Sequence, residues 1–384
     1  MGQRHTLVAG DWSRVAGRLE ELVSAGCGEP PLDVVVELLA VCLWAERHAR
    51  PRATAAAVRA LRASARQDWP ELLTLDSLSR VPDGVLGACL DALGPLRLDA
   101  AHGTALDAVF EGLTSRRRRG DKGQFLTPRP VCRALSGLLR LTDADTVLDP
   151  ACGSGGLLAA AGQWAPGARL VGMDLDPGAL RVARLLATLS DRAVTLHHGD
   201  ALRPDALPSG AFDVVVSNPP FAGDLQDASV LQHFETPALS RPERDLLFVE
   251  RCIQLLRPGG RLGLVLPAGR LSSSRQAGWR DWLLRRLRLE VVVSLAAAAF
   301  QPHTAQRTAL LVGVRRPEPL DAAAPLPEEP VCFAASERAG RDRRGRPVLR
   351  PAAAADGAPW DVHDHDLDAV LELVAEARRA PWPG

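Results

Sequence analysis

The chain has 384 residues, of which 46% are hydrophobic and 24% are charged, and its formal net charge is +0. This composition predicts a folded protein with enough apolar material for two domains, and it excludes a protein that coats nucleic acid through bulk positive charge. Seven scattered cysteines, without a CxxC pair or zinc-spaced Cys/His cluster, indicate reduced thiols and no structural metal. No apolar run is long enough to span a bilayer and no signal core is present, so we expect a cytoplasmic protein.

The first third of the chain predicts a small helical domain, which we place at residues 1–115. Between residues 31 and 113 the apolar residues recur at helical spacing, and prolines divide them into several short helices. The charged stretch at 116–123 contains four adjacent arginines and two glycines, as is typical of a domain boundary. Two interpretations of this stretch stay open, a solvated linker and a basic edge beside a phosphate backbone.

Short apolar runs then alternate with helical stretches, and seven of these runs predict strands. The predicted strands are residues 146–148, 170–173, 194–196, 213–216, 262–266, 291–293 and 309–312. Because strand–helix–strand order implies parallel pairing, we predict an α/β fold with a Rossmann-like, seven-stranded sheet in a catalytic domain at residues 116–320. Residues 321–384 form a Pro-, Ala- and Arg-rich tail, with an arginine cluster at 341–346 and a terminal helix.

The turn after the first predicted strand is the first candidate site. Residues 149–156, Asp-Pro-Ala-Cys-Gly-Ser-Gly-Gly, follow a strand and open a helix, so the backbone can approach a ligand closely. The spacing is not GxGxxG, and an acid heads the loop, where a phosphate is repelled and a positively charged amine is attracted. The pattern therefore favours the methionine end of S-adenosylmethionine over a dinucleotide. The predicted cofactor-binding residues here are Asp149, Ala151, Gly153, Ser154, Gly155 and Gly156.

Acids also follow the second and third predicted strands. Asp174 stands where the second strand of a Rossmann-like unit holds a ribose, whereas the nearby Asp176 is typical of a helix cap. Asp200 is able to accept a hydrogen bond from the cofactor's adenine amine, and we include Leu202 from the same run in the predicted cofactor site. Since ligands of open parallel sheets bind at the carboxyl edge, three acidic strand ends in succession indicate a ligand there.

The most specific motif, Asn218-Pro219-Pro220-Phe221, follows the fourth predicted strand. Pro219 keeps Asn218 out of the helical region, and two prolines leave the loop few backbone states. The Asn218 side-chain oxygen and the Pro219 carbonyl can accept both hydrogens of an adenine amine, which frees its lone pair for attack on a methyl group without a strong base. Phe221 is placed to stack on a base flipped out of the duplex. The alternative is an ordinary Pro-Pro turn with a core Phe.

Together these motifs resemble the DNA adenine-N6 methyltransferases, in particular the methylase (M) subunits of type I restriction-modification systems, over about residues 106–314. The residues similar to the family's cofactor-covering segment are Gln124, Phe125, Leu126, Thr127, Pro128 and Arg129. The loop at 300–308 resembles the family's loop near the target base, although Pro302 and His303 replace a smaller, glycine-bearing version. The resemblance implies a bacterial enzyme with S-adenosylmethionine as its sole cofactor, DNA as its substrate and no metal.

The resemblance also bears on partners. Family members usually carry a longer C-terminal region that docks on a separate specificity subunit, and we expect this chain to have room for neither that region nor a full recognition domain. The resemblance thus implies either a separate DNA-specificity subunit or a divergent orphan that binds DNA poorly, and it allows for a restriction subunit. Three alternatives stay open: a protein glutamine N-methyltransferase, which shares the Asn-Pro-Pro loop, a non-catalytic scaffold that binds S-adenosylmethionine or DNA, and, more distantly, an NAD-dependent oxidoreductase. The 124–129 segment and Phe221, where protein-directed relatives usually have Tyr, favour DNA.

Overall fold

The structure, a computed structural model, describes residues 9–94, 126–221, 223–236, 241–301, 304–344, 348 and 363–379. These residues fall into two compact units. The described part of the first unit is residues 9–94 and 177–193, and the second comprises the other described residues. The predicted boundary at residues 115–116 and the charged stretch at 116–123 lie outside the described residues.

The described helices fall between short loops that often contain proline. They are α1 (Ala9–Gly26), α2 (Pro31–Arg47), α3 (Ala55–Asp68), α4 (Ser77–Arg80), α5 (Asp83–Leu93), α6 (Arg129–Leu138), α7 (Gly156–Trp164), α8 (Pro177–Leu189), α9 (Ala228–Leu231), α10 (Arg244–Leu255), α11 (Ala268–Ser272), α12 (Ala277–Arg286) and α13 (Leu367–Ala377). Within the described ranges, no helix combines the length and the apolar character that a bilayer span requires.

The first unit is built around α2. Every residue from 34 to 45 of this helix is buried, which requires neighbours on all sides. Its one buried acid, Glu37, accepts hydrogen bonds from Arg62 Nε (2.7 Å) and from the backbone N–H groups of Ser77 (2.7 Å) and Leu78 (3.1 Å). Glu37 thereby caps the first turn of α4 and fixes α3 beside it.

Helix α8 also belongs to this first unit. Its apolar residues Val182, Leu185, Leu186 and Leu189 share one hydrophobic core with α2. The sequence pattern predicts this helix as one of those that alternate with the strands of the Rossmann-like sheet. The periodicity of the sequence predicts the helix and its apolar face, but it does not predict which helices pack against that face.

The second unit contains an eight-stranded sheet among the described residues. Its strands are β1 (Thr146–Asp149), β2 (Arg169–Asp174), β3 (Val194–His198), β4 (Phe212–Ser217), β5 (Leu256–Pro267), β6 (Leu287–Ser294), β7 (Thr308–Arg315) and β8 (Cys332–Ala335), in the spatial order β3-β2-β1-β4-β5-β7-β6-β8. β1 to β5 are mutually parallel, β7 is antiparallel to both β5 and β6, and β8 is parallel to β6.

The predicted α/β sheet is confirmed, and the predicted count of seven strands is one too low. All seven predicted runs form strands, and the tail adds β8, in which Cys332 pairs with Val291. This strand has four residues at the sheet edge and lies in a Pro- and Ala-rich stretch, so no long apolar run marked it. The backbone of β6 offers hydrogen-bond partners to β8, whose own sequence does not specify a strand.

The tail packs on the second unit. Arg133 of α6 donates to Asp368 of α13 at 3.2 Å, and Arg378 donates to the carbonyl of Leu138 at 2.9 Å. Asp366, just before α13, accepts the hydroxyl of Ser336 at 2.6 Å. The tail therefore covers the sheet edge and α6.

The order of the sheet places its topological switch point between β1 and β4. From β1 the chain adds β2 and then β3 on one side, and it adds β4 and β5 on the other. Ligands of such sheets bind at the carboxyl ends of the strands that flank the switch point. These two ends carry Asp149 and Ser217, whose Oδ1 and Oγ atoms lie 2.8 Å apart in a hydrogen bond. The glycine-rich turn and the Asn-Pro-Pro-Phe loop therefore start side by side.

Candidate functional site

The glycine-rich turn after β1 has the backbone that its sequence predicts. Gly153 has φ +53° and Gly155 has φ +81°, in the left-handed region where side chains are strained. Ala151 and Ser154 lie half-buried in the turn, and Gly156 is the first residue of α7. The turn thus brings the backbone of 151–156 to the carboxyl edge of the sheet.

Asp149 lies almost fully buried at the base of this turn, with 1% of its surface exposed. Its Oδ1 accepts hydrogen bonds from Ser217 Oγ (2.8 Å) and from the backbone N–H of Ala151 (3.1 Å). Burial raises the pKa of Asp149 to about 7, because desolvation outweighs these hydrogen bonds, and the nearby Asp174 raises it further. The site therefore holds a carboxyl group whose charge changes near neutral pH.

Asp174, at the end of β2, joins the turn to its own strand end. One carboxylate oxygen accepts from the N–H of Gly153 and the other from the N–H of Asp176, both at 2.8 Å. It is 6% exposed. Asp149, Gly153 and Asp174, which the sequence assigned to the methionine and ribose ends of one cofactor, are therefore neighbours.

The third acid, Asp200, lies half-buried after β3. Its Oδ1 accepts from the N–H of Leu202 at 3.0 Å, and the N–H of Gly199 donates to the carbonyl of Asp174 at 3.0 Å. The side chain of Leu202 is 1% exposed. The loop after β3 is thus hydrogen-bonded to the end of β2. This contact allows the ends of both strands to bind one ligand.

Arg251, on α10, is a residue that the sequence analysis missed. It is 1% exposed and donates from Nε to the carbonyl of Ala201 (2.9 Å) and from Nη2 to the carbonyl of Leu207 (3.0 Å). The same Nη2 lies 3.3 Å from the carbonyl oxygens of Arg203 and Pro204. Burial lowers its pKa from the usual range of arginine. Its many backbone acceptors indicate that Arg251 holds the irregular loop after Asp200 in shape.

Replacing Arg251 with Met is expected to weaken S-adenosylmethionine binding by about tenfold or more, because the loop that carries Asp200 and Leu202 loses its buried donors. Arg251→Lys keeps one charged donor group, and its cofactor affinity is expected to lie between those of Arg251→Met and the unchanged protein. Equilibrium dialysis with labelled cofactor measures the effect, and thermal unfolding checks that each variant is folded.

A matched control for this prediction is Arg257→Met. Arg257 is an exposed arginine at the beginning of β5 and pairs with Asp213 at 2.6 Å. Cofactor affinity in the control is expected to stay unchanged. A folded Arg251→Met variant that binds the cofactor as tightly as the control would contradict a positioning role.

The Asn-Pro-Pro-Phe loop meets the segment before α6. Asn218 Nδ2 donates to Thr127 Oγ1 at 3.0 Å, while Asn218 Oδ1 is buried and accepts no hydrogen bond from any residue that the structure describes. Pro219 is buried, and Pro220 is half-buried. A buried amide oxygen without a donor is costly, so its geometry points to an amine or amide ligand.

Phe221 is held by an aromatic neighbour from the loop after β6. Its ring centroid lies 6.4 Å from that of Phe300, with an edge-to-face angle of 66°. Phe300 is 2% exposed, so its own position is fixed by packing. The loop after β6 therefore contacts the Asn-Pro-Pro-Phe loop through Phe300, whereas Pro302 and His303 lie outside the described residues.

The remaining predicted residues belong to the segment before α6. Leu126, Thr127 and Pro128 are half-buried and lead into α6, which begins at Arg129. Burial lowers the pKa of the Arg129 guanidinium. Gln124 and Phe125 lie outside the described residues. Thr127 thus connects this segment to the Asn-Pro-Pro-Phe loop.

The carboxyl edge of the sheet gathers hydrogen-bond acceptors. Among the residues that the structure covers, no group of three or more His, Cys, Asp or Glu side chains is placed to hold a metal ion. The carboxylates of Asp149, Asp174 and Asp200 line one edge, and the amide of Asn218 lies beside the first of them through Ser217. These groups can bind amines and hydroxyls.

Comparison with known proteins identifies similar sequences and folds. The sequence profile of the N-6 DNA methylase family matches residues 103–333. The EcoKI methylase subunit of a type I restriction enzyme from Escherichia coli K12 is 27% identical over 235 residues, which are 53% of this chain and 43% of that protein. A release factor glutamine methyltransferase from Bacteroides thetaiotaomicron is 32% identical over 148 residues, 36% of this chain and 53% of that protein.

A solved structure shows the same fold. The methyltransferase subunit of a type I restriction-modification system from Streptococcus thermophilus superposes with a TM-score of 0.63 at 15% identity, over 96% of this chain and 93% of that one. By contrast, this chain spans less than half of the length of the EcoKI methylase subunit. The shared part contains the glycine-rich turn and the Asn-Pro-Pro-Phe loop within residues 103–333.

Proposed function

The chain belongs to the N-6 DNA methylase family, and on that premise we propose that it transfers a methyl group from S-adenosylmethionine to the N6 amine of adenine in DNA. The observation that carries this proposal is the amide of Asn218. Its Nδ2 is fixed by Thr127, and its buried Oδ1 accepts no hydrogen bond among the described residues. An adenine amine supplies the hydrogen that this oxygen lacks.

The site fits S-adenosylmethionine, which the family membership confirms as the cofactor. We propose that the buried carboxyl of Asp149 pairs with the amino group of its methionine part, that Asp174 accepts from the ribose hydroxyls and that Asp200 accepts from the adenine amine. The glycines at 153 and 155 let the backbone lie close to the ligand. When bound, the cofactor supplies an electrophilic methyl group.

The pKa of Asp149 leads to a pH prediction for cofactor binding. Since its pKa is raised to about 7 by burial, the carboxyl is protonated below that pH and ionised above it. A cationic amine binds the ionised form, so cofactor affinity is expected to fall by about tenfold per pH unit below 7, with one proton released on binding. Calorimetry in buffers of different ionisation enthalpy measures both quantities.

The contribution of Asp149 to the stability of the cofactor-free protein has the opposite pH dependence. A carboxyl group whose pKa is raised in the folded state stabilises the fold below its unfolded pKa and loses this contribution as the pH rises through about 7. Asp149→Asn keeps an acceptor for Ser217 Oγ without an ionisable proton. We expect this variant to lose the pH dependence of cofactor binding and the part of the stability slope below about pH 7 that comes from Asp149, and slopes equal to those of the unchanged protein would contradict the assignment to Asp149.

The chain's own residues account for the activation of the target amine. Asn218 Oδ1 and the Pro219 carbonyl accept its two hydrogens, which makes the nitrogen lone pair available for in-line attack. The two prolines hold both acceptors in place before the target arrives, so little reorganisation is required. Phe221, positioned by Phe300, stacks on the flipped base.

We further propose that the protein acts in the cytoplasm as the modification subunit of a restriction-modification or related defence system. A separate specificity subunit supplies sequence recognition, and a restriction subunit joins the same assembly. This proposal is supported by the similarity to the EcoKI methylase subunit and by the shared fold with the Streptococcus thermophilus subunit.

A second candidate is the methylation of a glutamine side chain in a protein. The similarity to the release factor glutamine methyltransferase supports it, and a glutamine amide offers the same kind of nitrogen to Asn218. The family profile and Phe221, a base-stacking residue in contact with Phe300, favour DNA. The non-catalytic scaffold would bind the cofactor without turnover.

The test is transfer of labelled methyl from S-adenosylmethionine to duplex DNA of mixed sequence, with the proteins encoded nearby added in parallel samples. Digestion of the DNA to nucleosides followed by chromatography is expected to show label in N6-methyladenine. A parallel sample contains a protein lysate in place of DNA. Label in glutamine alone would establish the second candidate, and cofactor binding without label in either substrate would establish the scaffold.

A further inference from the structure

The tail of the chain lines a cavity of about 560 Å³ in the second unit. One wall is the segment after β6, where Ala296, Ala297 and Ala298 leave space because their side chains are short. The other wall is the tail after β8, which contributes Arg338, Arg341 and Arg343 among others. Its volume lies in the range of ligand-binding clefts. We call it the arginine cavity.

Basic side chains outnumber acidic ones in the lining of this cavity. The three arginines that line it, Arg338, Arg341 and Arg343, carry a formal charge of +3. Two acids, Glu337 and Asp364, also line the arginine cavity, and Asp364 pairs with Arg338 at 3.0 Å. Arg343 is exposed at the mouth. The cavity thus combines a fixed arginine with accessible positive charge.

Three arginines in the other arginine-rich part of the second unit pair with acids. Arg270 pairs with Asp245 (2.7 Å), and Arg285 pairs with Asp281 (2.8 Å). Arg286 also pairs with a glutamate, and its guanidinium lies over the ring of Trp282. These three arginines are therefore less available to an anion than the exposed Arg343 of the arginine cavity.

The arginine cavity adjoins the catalytic loop. Gln301 lines it, and the preceding residue, Phe300, contacts the ring of Phe221. Arg341 Nη1 lies 3.4 Å from the carbonyl oxygen of Gln301, which links the tail to this same segment. A base stacked on Phe221 has its own sugar-phosphate strand beside it, so this strand passes the segment that forms one wall of the cavity.

We propose that the arginine cavity binds the phosphodiester backbone of the DNA strand that carries the target adenine. The inference rests on the proposed function and adds a second DNA contact to it, supplied by the tail. Planar guanidinium groups donate in pairs to phosphate oxygens, and the short alanine side chains admit a sugar-phosphate group. The contact positions the strand and carries no sequence information, which fits a protein whose recognition comes from a partner.

The test is the salt dependence of DNA binding by the full chain, measured by fluorescence anisotropy with a labelled duplex. Replacing both Arg341 and Arg343 with Gln is expected to lower DNA affinity by about tenfold or more at low salt and to reduce the slope of log K against log salt by about 2. The affinity for S-adenosylmethionine is expected to stay unchanged. Arg169→Gln is the matched control, since Arg169 is exposed at the opposite, amino-terminal end of β2.

A second variant changes the space rather than the charge. Ala297→Trp fills the arginine cavity, and we expect it to weaken DNA binding without the loss of slope that the arginine variants cause. If the unchanged chain methylates DNA while both variants bind it as the control does, the inference is overturned and the proposed function stands. If the unchanged chain neither binds nor methylates DNA, alone or with the proteins encoded nearby, both are overturned.

Discussion

Asn218→Ala is expected to reduce the kcat of methyl transfer by about 100- to 1000-fold, because one preorganised acceptor of the target amine is lost. The substitution removes Oδ1, the buried oxygen without a hydrogen bond in the described structure, together with the donor to Thr127. Single-turnover transfer of labelled methyl to DNA measures the chemical step. Cofactor affinity is expected to stay within about twofold, since Asp149, Asp174 and Asp200 are unchanged.

The conservative variant Asn218→Asp sharpens this prediction. It keeps an acceptor oxygen but replaces the Nδ2 donor, so it is expected to retain more activity than the Ala variant. Gln232→Ala is a suitable control, because Gln232 is an exposed amide at the end of α9 in the loop that follows the motif. An Asn218→Ala variant with unchanged kcat would show that the amide oxygen does not act on the target.

The composition of the chain supports a specific role for Asn218. It is the only asparagine among the 384 residues, and Lys122 is the only lysine, so the sequence is poor in both residue types. An asparagine at the end of β4 therefore cannot be attributed to a general abundance of this residue. Its place at the switch point of the sheet, next to Ser217, makes an ordinary turn a poorer explanation.

Much of the second unit could be predicted because its signals are local. Each of the seven predicted strands corresponds to a short, largely apolar run, which is a local signal for a strand. The loops with Asp149, Asp174 and Asn218 follow such runs directly, so parallel pairing places them on one edge without any knowledge of side-chain contacts. The catalytic assignment followed from the same local order and stays a proposal.

The features that the sequence could not supply depend on contacts between distant segments. Arg251 lies in an apolar helix, and its acceptors are backbone carbonyls some 44 to 50 residues away, which no sequence pattern marks. β8 forms because β6 offers an edge, and α8 shares the core of α2 because its apolar face fits there. The hydrogen bond between Asn218 and Thr127 spans 91 residues and joins the Asn-Pro-Pro-Phe loop to the segment at 124–129. The sequence does not show that these two motifs are in contact.

The hydrogen bond between Asn218 and Thr127 also predicts a large loss of kcat when Thr127 is replaced. The sequence assigned Thr127 to the cofactor-covering segment, and its Oγ1 accepts from Asn218 Nδ2. Thr127→Val has nearly the same shape but no acceptor, so the Asn218 amide loses the contact that aims its oxygen. We expect kcat to fall by about 10- to 100-fold, as for a small misplacement of a catalytic group, while Thr127→Ser retains most of the activity.

A double-mutant cycle separates orientation from cofactor binding. If Thr127 acts through Asn218, adding Thr127→Val to Asn218→Ala is expected to cause no further loss of kcat, because the amide that it orients is already absent. Single-turnover rates of the four proteins measure this coupling, and equilibrium dialysis measures their cofactor affinity. Independent, additive losses of kcat would contradict the positioning role, and a weakened cofactor affinity in both Thr127→Val proteins would assign the residue to the cofactor instead. Coupling without a change in cofactor affinity is the expected result, since the side chain of Thr127 contacts the Asn218 amide and so joins the Asn-Pro-Pro-Phe loop to the segment before α6.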